Sequence, residues 1–323
     1  MCNGAGIVGK TSGGTMCPSY MVTHEEEHST RGRANLLRAA LSGSLRHESL
    51  TSPRMYEAMD LCIECKACKS ECPSSVDMAK IKFEFLARYY EQNSIPLRAR
   101  MMADVARASR WMSGQLAPMA NAVLRTRWIR SLMERWLGIT SQRQLPQFAE
   151  EPFTTWFRRR NRNSTGTRQV VLFNDTWNTY NYPHVSIAAT ELLEAAGFEV
   201  ILSGHRCCVR PMISKGLVEQ ARAAVRDCVE KLSPYAERGI PIVGLEPSCL
   251  LTLRDEIKSL LPGDPRIKAI EDNAFTFEEF IATLAAQGSL RLNFPQQVEK
   301  ILLHGHCHQK ALVGTESSKS ALS

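Results

Sequence analysis

Nowhere in the 323 residues does an apolar run approach the roughly 18 that span a bilayer, which excludes a transmembrane helix. The N-terminus, Met1-Cys2-Asn3-Gly4, has no charged region followed by an apolar core, so a secretory signal is not expected. Cysteine is missing from residues 73 to 206, and lysine from residues 94 to 162. Eleven cysteines are too few for a disulfide scaffold in so long a chain, and too clustered to be scattered core residues. A composition of 44% hydrophobic and 23% charged residues excludes wholesale disorder. Thiols gathered in this way in a cytoplasmic, reduced chain mark metal or redox sites.

The charge is as uneven as the cysteine. Ser94 to Arg162 holds 13 Arg, no Lys and four acidic residues, a net charge of +9 against +7 for the whole chain. Within it Leu116, Met119, Ala120, Val123, Leu124, Trp128, Leu132 and Trp136 form one stripe at helical spacing, with Arg125, Arg127, Arg130 and Arg135 interleaved. A basic helix carrying tryptophan can lie on an anionic membrane surface. The more common arrangement, and the one expected here, packs such a helix on its own neighbouring domain with its arginines in solvent. Nucleic acid is not expected as a partner, because no recognised binding motif accompanies the charge.

Three segments follow from these shifts: residues 1–93, a helical spacer over 94–166, and residues 167–323. In the first, Ser29-Thr30 caps a helix through Leu41 that stops at Gly43, and Ser52-Pro53 starts another. Met78, Ile81, Phe85, Leu86 and Tyr89 mark the buried face of a third. After residue 167, strands are expected at Val170–Phe173, Glu199–Leu202, Ile240–Leu245 and Ile301–His304. Helices are expected near 183–196, 212–232, 249–261 and 275–287. Short apolar strands alternating with helices predict a parallel α/β sheet. The strand starts at Val170 and Ile301 lie about 131 residues apart, as at the start of a second repeat. The fold class is therefore α+β and multidomain.

Cys62-Ile-Glu-Cys65-Lys-Ala-Cys68-Lys-Ser-Glu-Cys72-Pro73 has the spacing C-x2-C-x2-C-x3-C-P. Three thiolates so spaced can hold three corners of a [4Fe–4S] cubane, while the Cys followed by Pro serves the other cluster of a two-cluster ferredoxin. Structural zinc sites use two well-separated Cys pairs, so the spacing favours iron–sulfur. Cys17-Pro18 repeats the ending, which makes Cys17 the remote fourth ligand to Cys62, Cys65 and Cys68. Cys72 then turns to a second site with only Cys2 beside it, so one complete cluster and one incomplete one are expected. Arg31 and Arg33 could meet an acidic partner or a cofactor, although solvated residues at a helix start are the commoner case.

These residues, with Lys10–Tyr20, Glu25–Asn35, Val76–Lys80, Phe153–Arg160, His205–Pro211, Glu246–Cys249 and His304–Lys310, resemble the iron–sulfur and cysteine-rich portion of FAD-linked 2-hydroxyacid dehydrogenases. The resemblance implies an α-helical ferredoxin-like module, a spacer and a cysteine-rich domain like that of heterodisulfide reductase subunits. In such a domain Cys207, Cys208 and Cys249 are candidate ligands of another cofactor. Thr176 stands where the second repeat has Cys307, so Cys307 completes the set only if the sheet brings both strand ends together. Val8-Gly9 replaces a Cys-Arg step, and Val209 stands where the family has Gly after its cysteine pair. The flavin domain that normally precedes this region is expected on a partner. The implied role is a relay carrying electrons from an FAD-binding subunit to a quinone or other carrier, with peripheral membrane contact through the spacer. A non-catalytic, truncated remnant that only binds a partner is the alternative.

Overall fold

The computed structural model describes residues 7–45, 50–160, 168–206, 209–290 and 300–323. The chain divides into two compact units. The first joins Met1–Ile95 to two later segments, Met212–Val218 and His304–Glu316. The second contains Pro96–Pro211, Glu219–Leu303 and Ser317–Ser323.

The first unit is helical. Ser29 accepts a hydrogen bond from Gly32 N at the start of the helix Thr30–Leu41, and Ser52 does the same for Met55 N at the helix Pro53–Asp60. Asp77 caps the 15-residue helix Met78–Gln92. Met16, Met55, Met59, Met78, Phe85 and Leu86 fill the core between them. Two glycines set close approaches. A Cβ on Gly32 would sit 1.9 Å from the Glu26 carbonyl oxygen, and one on Gly216, at φ +69°, would sit 2.4 Å from Leu86 Cβ.

The second unit is built on a parallel sheet of β1 (Arg168–Phe173), β2 (Phe198–Ile201), β3 (Ile242–Gly244) and β4 (Ala274–Thr276), in the order β2-β1-β3-β4. Val170 pairs with Val200, Val171 with Ile242, and Gly244 with Thr276. One face packs Val170, Leu172, Phe198, Val200 and Val243 against Leu193, Phe280 and Leu284. Phe153 and Phe157, from the helix Phe153–Arg159 at the end of the basic stretch, are buried in that same core. The rest of the stretch is a run of short helices whose tryptophans stay in solvent: Trp111 is 72% exposed, Trp128 69% and Trp136 76%. These three tryptophans are therefore not part of the second unit's core. Among the described residues no helix is long and apolar enough to cross a membrane.

Three expected elements differ. The fourth strand is Ala274–Thr276, not Ile301–His304, and residues 301–306 are irregular, with Leu302 almost wholly exposed. A three-residue apolar run does not reveal whether a partner strand exists to cover it. Residues 212–232 do not form one continuous helix, because Gly216 at φ +69° ends the turn before the helix Val218–Ala236. The helix expected over 249–261 is two short ones, Pro247–Thr252 and Ile257–Leu260.

Candidate metal centre

The loop from Cys62 to Cys68 turns twice through left-handed backbone, at Glu64 (φ +56°) and Lys66 (φ +62°), before the helix Ala67–Glu71 begins. Cys65 and Cys68 are buried and Cys62 is half-buried. Met78 N, at the start of the next helix, lies 3.4 Å from Cys68 Sγ as a donor. Cys17 arrives from elsewhere in the chain, at the N-cap of the helix Pro18–Thr23. Its Sγ is 3.8 Å from the donor Thr30 Oγ1, 3.7 Å from Arg33 Nη1 and 3.6 Å from the His28 carbonyl. A backbone anchor holds the preceding strand of chain, where Thr15 N donates to Glu71 Oε1 at 2.7 Å.

Cys17, Cys65 and Cys68 are buried in one core, and Cys62 packs against it. Burial pushes Cys65 up to about 12, and negative charge on Cys68, Cys62 and Cys17 pushes in the same direction. Burial raises Cys68 to about 11, opposed by the Met78 N–H and reinforced by Cys62, Asp77 and Cys17. Cys62 is raised by burial and pulled back by Arg33 and Lys82. Thiols this buried ionise at neutral pH only when a cation binds them.

The surroundings fit an anionic thiolate-bound group. Arg33, Lys66 and Lys82 are buried in this unit, and Glu64 is the buried carboxylate among its described residues. Lys82 Nζ donates to the carbonyls of Cys62 (2.6 Å) and Asp60 (3.1 Å) and lies 3.7 Å from Glu64 Oε1. A single zinc ion fits less well. Tetrahedral ligation with Zn–S near 2.3 Å would draw the sulfurs to about 3.8 Å, yet among the described residues no three thiols lie mutually within 4.8 Å. The group that does meet this limit, Glu25, Glu27 and His28, is an acidic cluster in which Glu27 is paired with Arg54 at 2.6 Å.

Cys72 ends the helix Ala67–Glu71 and packs, half-buried, at the rim of the same core. Cys2 lies outside the described residues, while Val8 is buried in the core. Cys307 begins the helix Cys307–Leu312, which packs on Ala67–Glu71 within the first unit. The neighbouring His308 is buried, with Nε2 2.8 Å from the Glu64 carbonyl oxygen, and His306 accepts from His308 N. Arg31 is paired with Glu26 at 2.6 Å near the surface. Lys82 was not singled out from sequence. The signal for Lys82 was its place four residues after Met78 on the apolar face of that helix.

Cys249 is buried in the second unit, so the structure does not assign Cys249 and Cys307 to the same unit. Cys207 and Cys208 lie outside the described residues. Cys228 is fully buried in the middle of the helix Val218–Ala236. Around Cys249 the C-terminal ends of the strands carry buried polar residues. Asp175 caps the helix Thr176–Tyr180 and is raised to about 6, by burial first and by Glu246 in addition. His205 stacks on Phe173 at 4.2 Å, its Nδ1 lies 2.7 Å from Ser203 Oγ, and burial lowers it to about 4. Val209 is buried at φ +73°, a backbone conformation that favours glycine.

Residues 5–77 match the 4Fe-4S dicluster domain family, which supports an iron–sulfur cluster as the cofactor of this chain. The chain is 26% identical to D-2-hydroxyglutarate dehydrogenase of Escherichia coli over 99% of its own length and 35% of the relative's. It is also 26% identical to one subunit of the anaerobic glycerol-3-phosphate dehydrogenase of E. coli, over 62% of this chain and 51% of that one. With a lactate utilization protein of Bacillus anthracis the identity is 23%, over 45% and 60%. The chain thus spans about a third of the length of the first relative and about half that of the second. No solved structure matches. The chain carries an iron–sulfur domain and is homologous to oxidoreductases and their subunits.

Proposed function

We propose that this chain is the iron–sulfur electron-transfer component of a flavin-linked 2-hydroxyacid oxidoreductase, working with an FAD-binding subunit or domain and passing electrons to a quinone or other carrier. The observation that supports the reading is that Cys17, Cys65 and Cys68 share one buried core, with Cys62 packed against it, in a unit that also buries Arg33, Lys66 and Lys82. A [4Fe–4S] cluster bound there supplies one-electron transfer. Cys17, Cys62, Cys65 and Cys68 hold it as thiolates, and the Met78 N–H and Arg33 donate toward their sulfurs. Lys82 and His308 fix the Cys62–Cys68 loop through its carbonyls. Cys72 and Cys2 are left to a second, incomplete site, and Cys207, Cys208, Cys249 and Cys307 remain candidate ligands of a further cofactor.

Anaerobic reconstitution tests this. The full chain should take up about four irons, and Cys65→Ser should lose most of them. The chain alone should not oxidise lactate or glycolate, since the hydride chemistry belongs to a flavin. Zinc in place of iron, or full iron in the serine variant, would reject the ligand set. The exposed tryptophans among the arginines of residues 98–135 support peripheral contact with an anionic membrane surface. Co-sedimentation with phosphatidylglycerol vesicles but not phosphatidylcholine vesicles, weakened by Trp128→Ser together with Trp136→Ser, is the expected result. Equal recovery with both lipids would remove the membrane from the reading.

A further inference from the structure

Arg33 is among the largest side chains that are fully buried, and the route its charge takes is unusual. It is the fourth residue of the helix Thr30–Leu41, on the face turned inward. Its Nε donates to the Ala58 carbonyl at 2.7 Å, Nη2 to Ser19 Oγ at 3.1 Å, and Nη1 toward Cys17 Sγ at 3.7 Å. None of these partners is a carboxylate. The other charged side chains nearby are matched differently. Arg31, two residues earlier, is paired with Glu26 at the surface, and Lys82 has Glu64 within 3.7 Å.

Guanidinium does not lose its proton in proteins, so Arg33 cannot escape burial by becoming neutral. A buried cation with only neutral partners is costly, and it persists where an anion faces it. The anion available to Nη1 is the Cys17 sulfur, which is a thiolate once metal is bound. The charge of Arg33 also reaches Cys62, where it favours the ionised thiol.

We infer that Arg33 is the fixed counter-charge of the iron–sulfur centre, a positioning residue that orients Cys17 through its sulfur and favours the reduced state of the centre. The inference rests on the ligand set proposed above. Uptake of one electron, from dithionite in the test below, makes the thiolate-bound centre one charge more negative. Arg33 offers a positive charge already in place, with no proton taken up and no side chain rearranged. A single charge within hydrogen-bonding reach of a buried group shifts a one-charge equilibrium by about tenfold or more.

The experiment compares wild type with Arg33→Lys, Arg33→Met and the surface control Arg31→Met, each as the full chain reconstituted anaerobically. Iron and sulfide content are measured first, and each sample is then titrated with dithionite while visible absorption and EPR are followed. Arg33→Met should retain iron but become at least about tenfold harder to reduce, which is about 59 mV more negative for one electron. Arg33→Lys, which keeps the charge, should stay within about threefold of wild type, and Arg31→Met should not move. A merely structural arginine would change stability without this split. Arg33→Met titrating with wild type at equal iron content overturns the inference, as do equal shifts in the Met and Lys variants. If Arg33→Met takes up no iron, the Lys variant decides: wild-type iron and potential uphold the counter-charge, and loss of either rejects it. Wild type without iron would instead sink the proposed function, and this inference with it.

Discussion

Replacing Lys82 by Met should strike the cluster loop hardest of the changes that spare every cysteine. The apolar stem of the side chain is largely kept, so the loss is the ammonium group and its three contacts: Cys62 O at 2.6 Å, Asp60 O at 3.1 Å and Glu64 Oε1 at 3.7 Å. Lys82 and Glu64 have side chains only 3% and 4% exposed, so the remaining carboxylate cannot reach water in place of its partner. Removing one member of a buried pair costs about 3–5 kcal/mol, because the charge left behind loses that compensation and gains no water in its place. Glu64→Gln removes that charge, so the double variant should be less stable than wild type by clearly less than the two single losses combined, with a coupling of about 1–3 kcal/mol. All five tryptophans lie in the second unit, so their fluorescence does not report on this change. Amide exchange in the helix Met78–Gln92 does report on it. An opening cost lowered by about 3 kcal/mol speeds exchange by roughly 100-fold or more where exchange follows the opening equilibrium. Acceleration below tenfold, or strict additivity in the double variant, would refute the argument.

Cys17→Ala should lose most of the iron and Cys72→Ala should spare it, as measured by iron per chain after reconstitution; the reverse pattern would show a locally closed cluster. His308→Ala should uncouple the helix Cys307–Leu312 from the Glu64 carbonyl, at about 1–3 kcal/mol, and raise the rate of iron loss to a chelator. An unchanged rate would mean the contact does not brace the loop. In the second unit, acid titration separates two buried groups. Asp175, raised from 3.8 to about 6, contributes stability that is full below pH 3.8 and lost as pH rises through 6. His205, lowered from 6.5 to about 4, contributes stability that is full above pH 6.5 and lost as pH falls through 4. The two oppose each other in wild type. Asp175→Asn leaves the histidine alone, so stability followed by tryptophan fluorescence should fall by up to about 3 kcal/mol between pH 7 and 4. A profile as flat as wild type's would reject this balance.

Much of the local structure was legible in the chain itself because local forces decide it. Ser29 and Ser52 announce their helices, since a hydroxyl at that position satisfies an otherwise orphaned backbone donor. The spacing Cys62, Cys65, Cys68 specifies a metal loop for the same reason: its ligands are neighbours in sequence. The apolar runs of β1, β2 and β3 mark buried strands, and their order in the sheet came only with pairing. Ile301–Leu303 has the same apolar character as those strands, yet it forms none, because a strand needs a partner edge that no local pattern encodes. Tertiary structure alone decided the company each long-range residue keeps. It brought Cys17 to three thiols about 50 residues away, turned Arg33 inward while Arg31 stayed at the surface, and placed Cys307 and His308 in the first unit rather than with Cys249. A sequence lists residues in one dimension, whereas burial and charge compensation depend on which groups the folded chain sets within a few ångströms of each other.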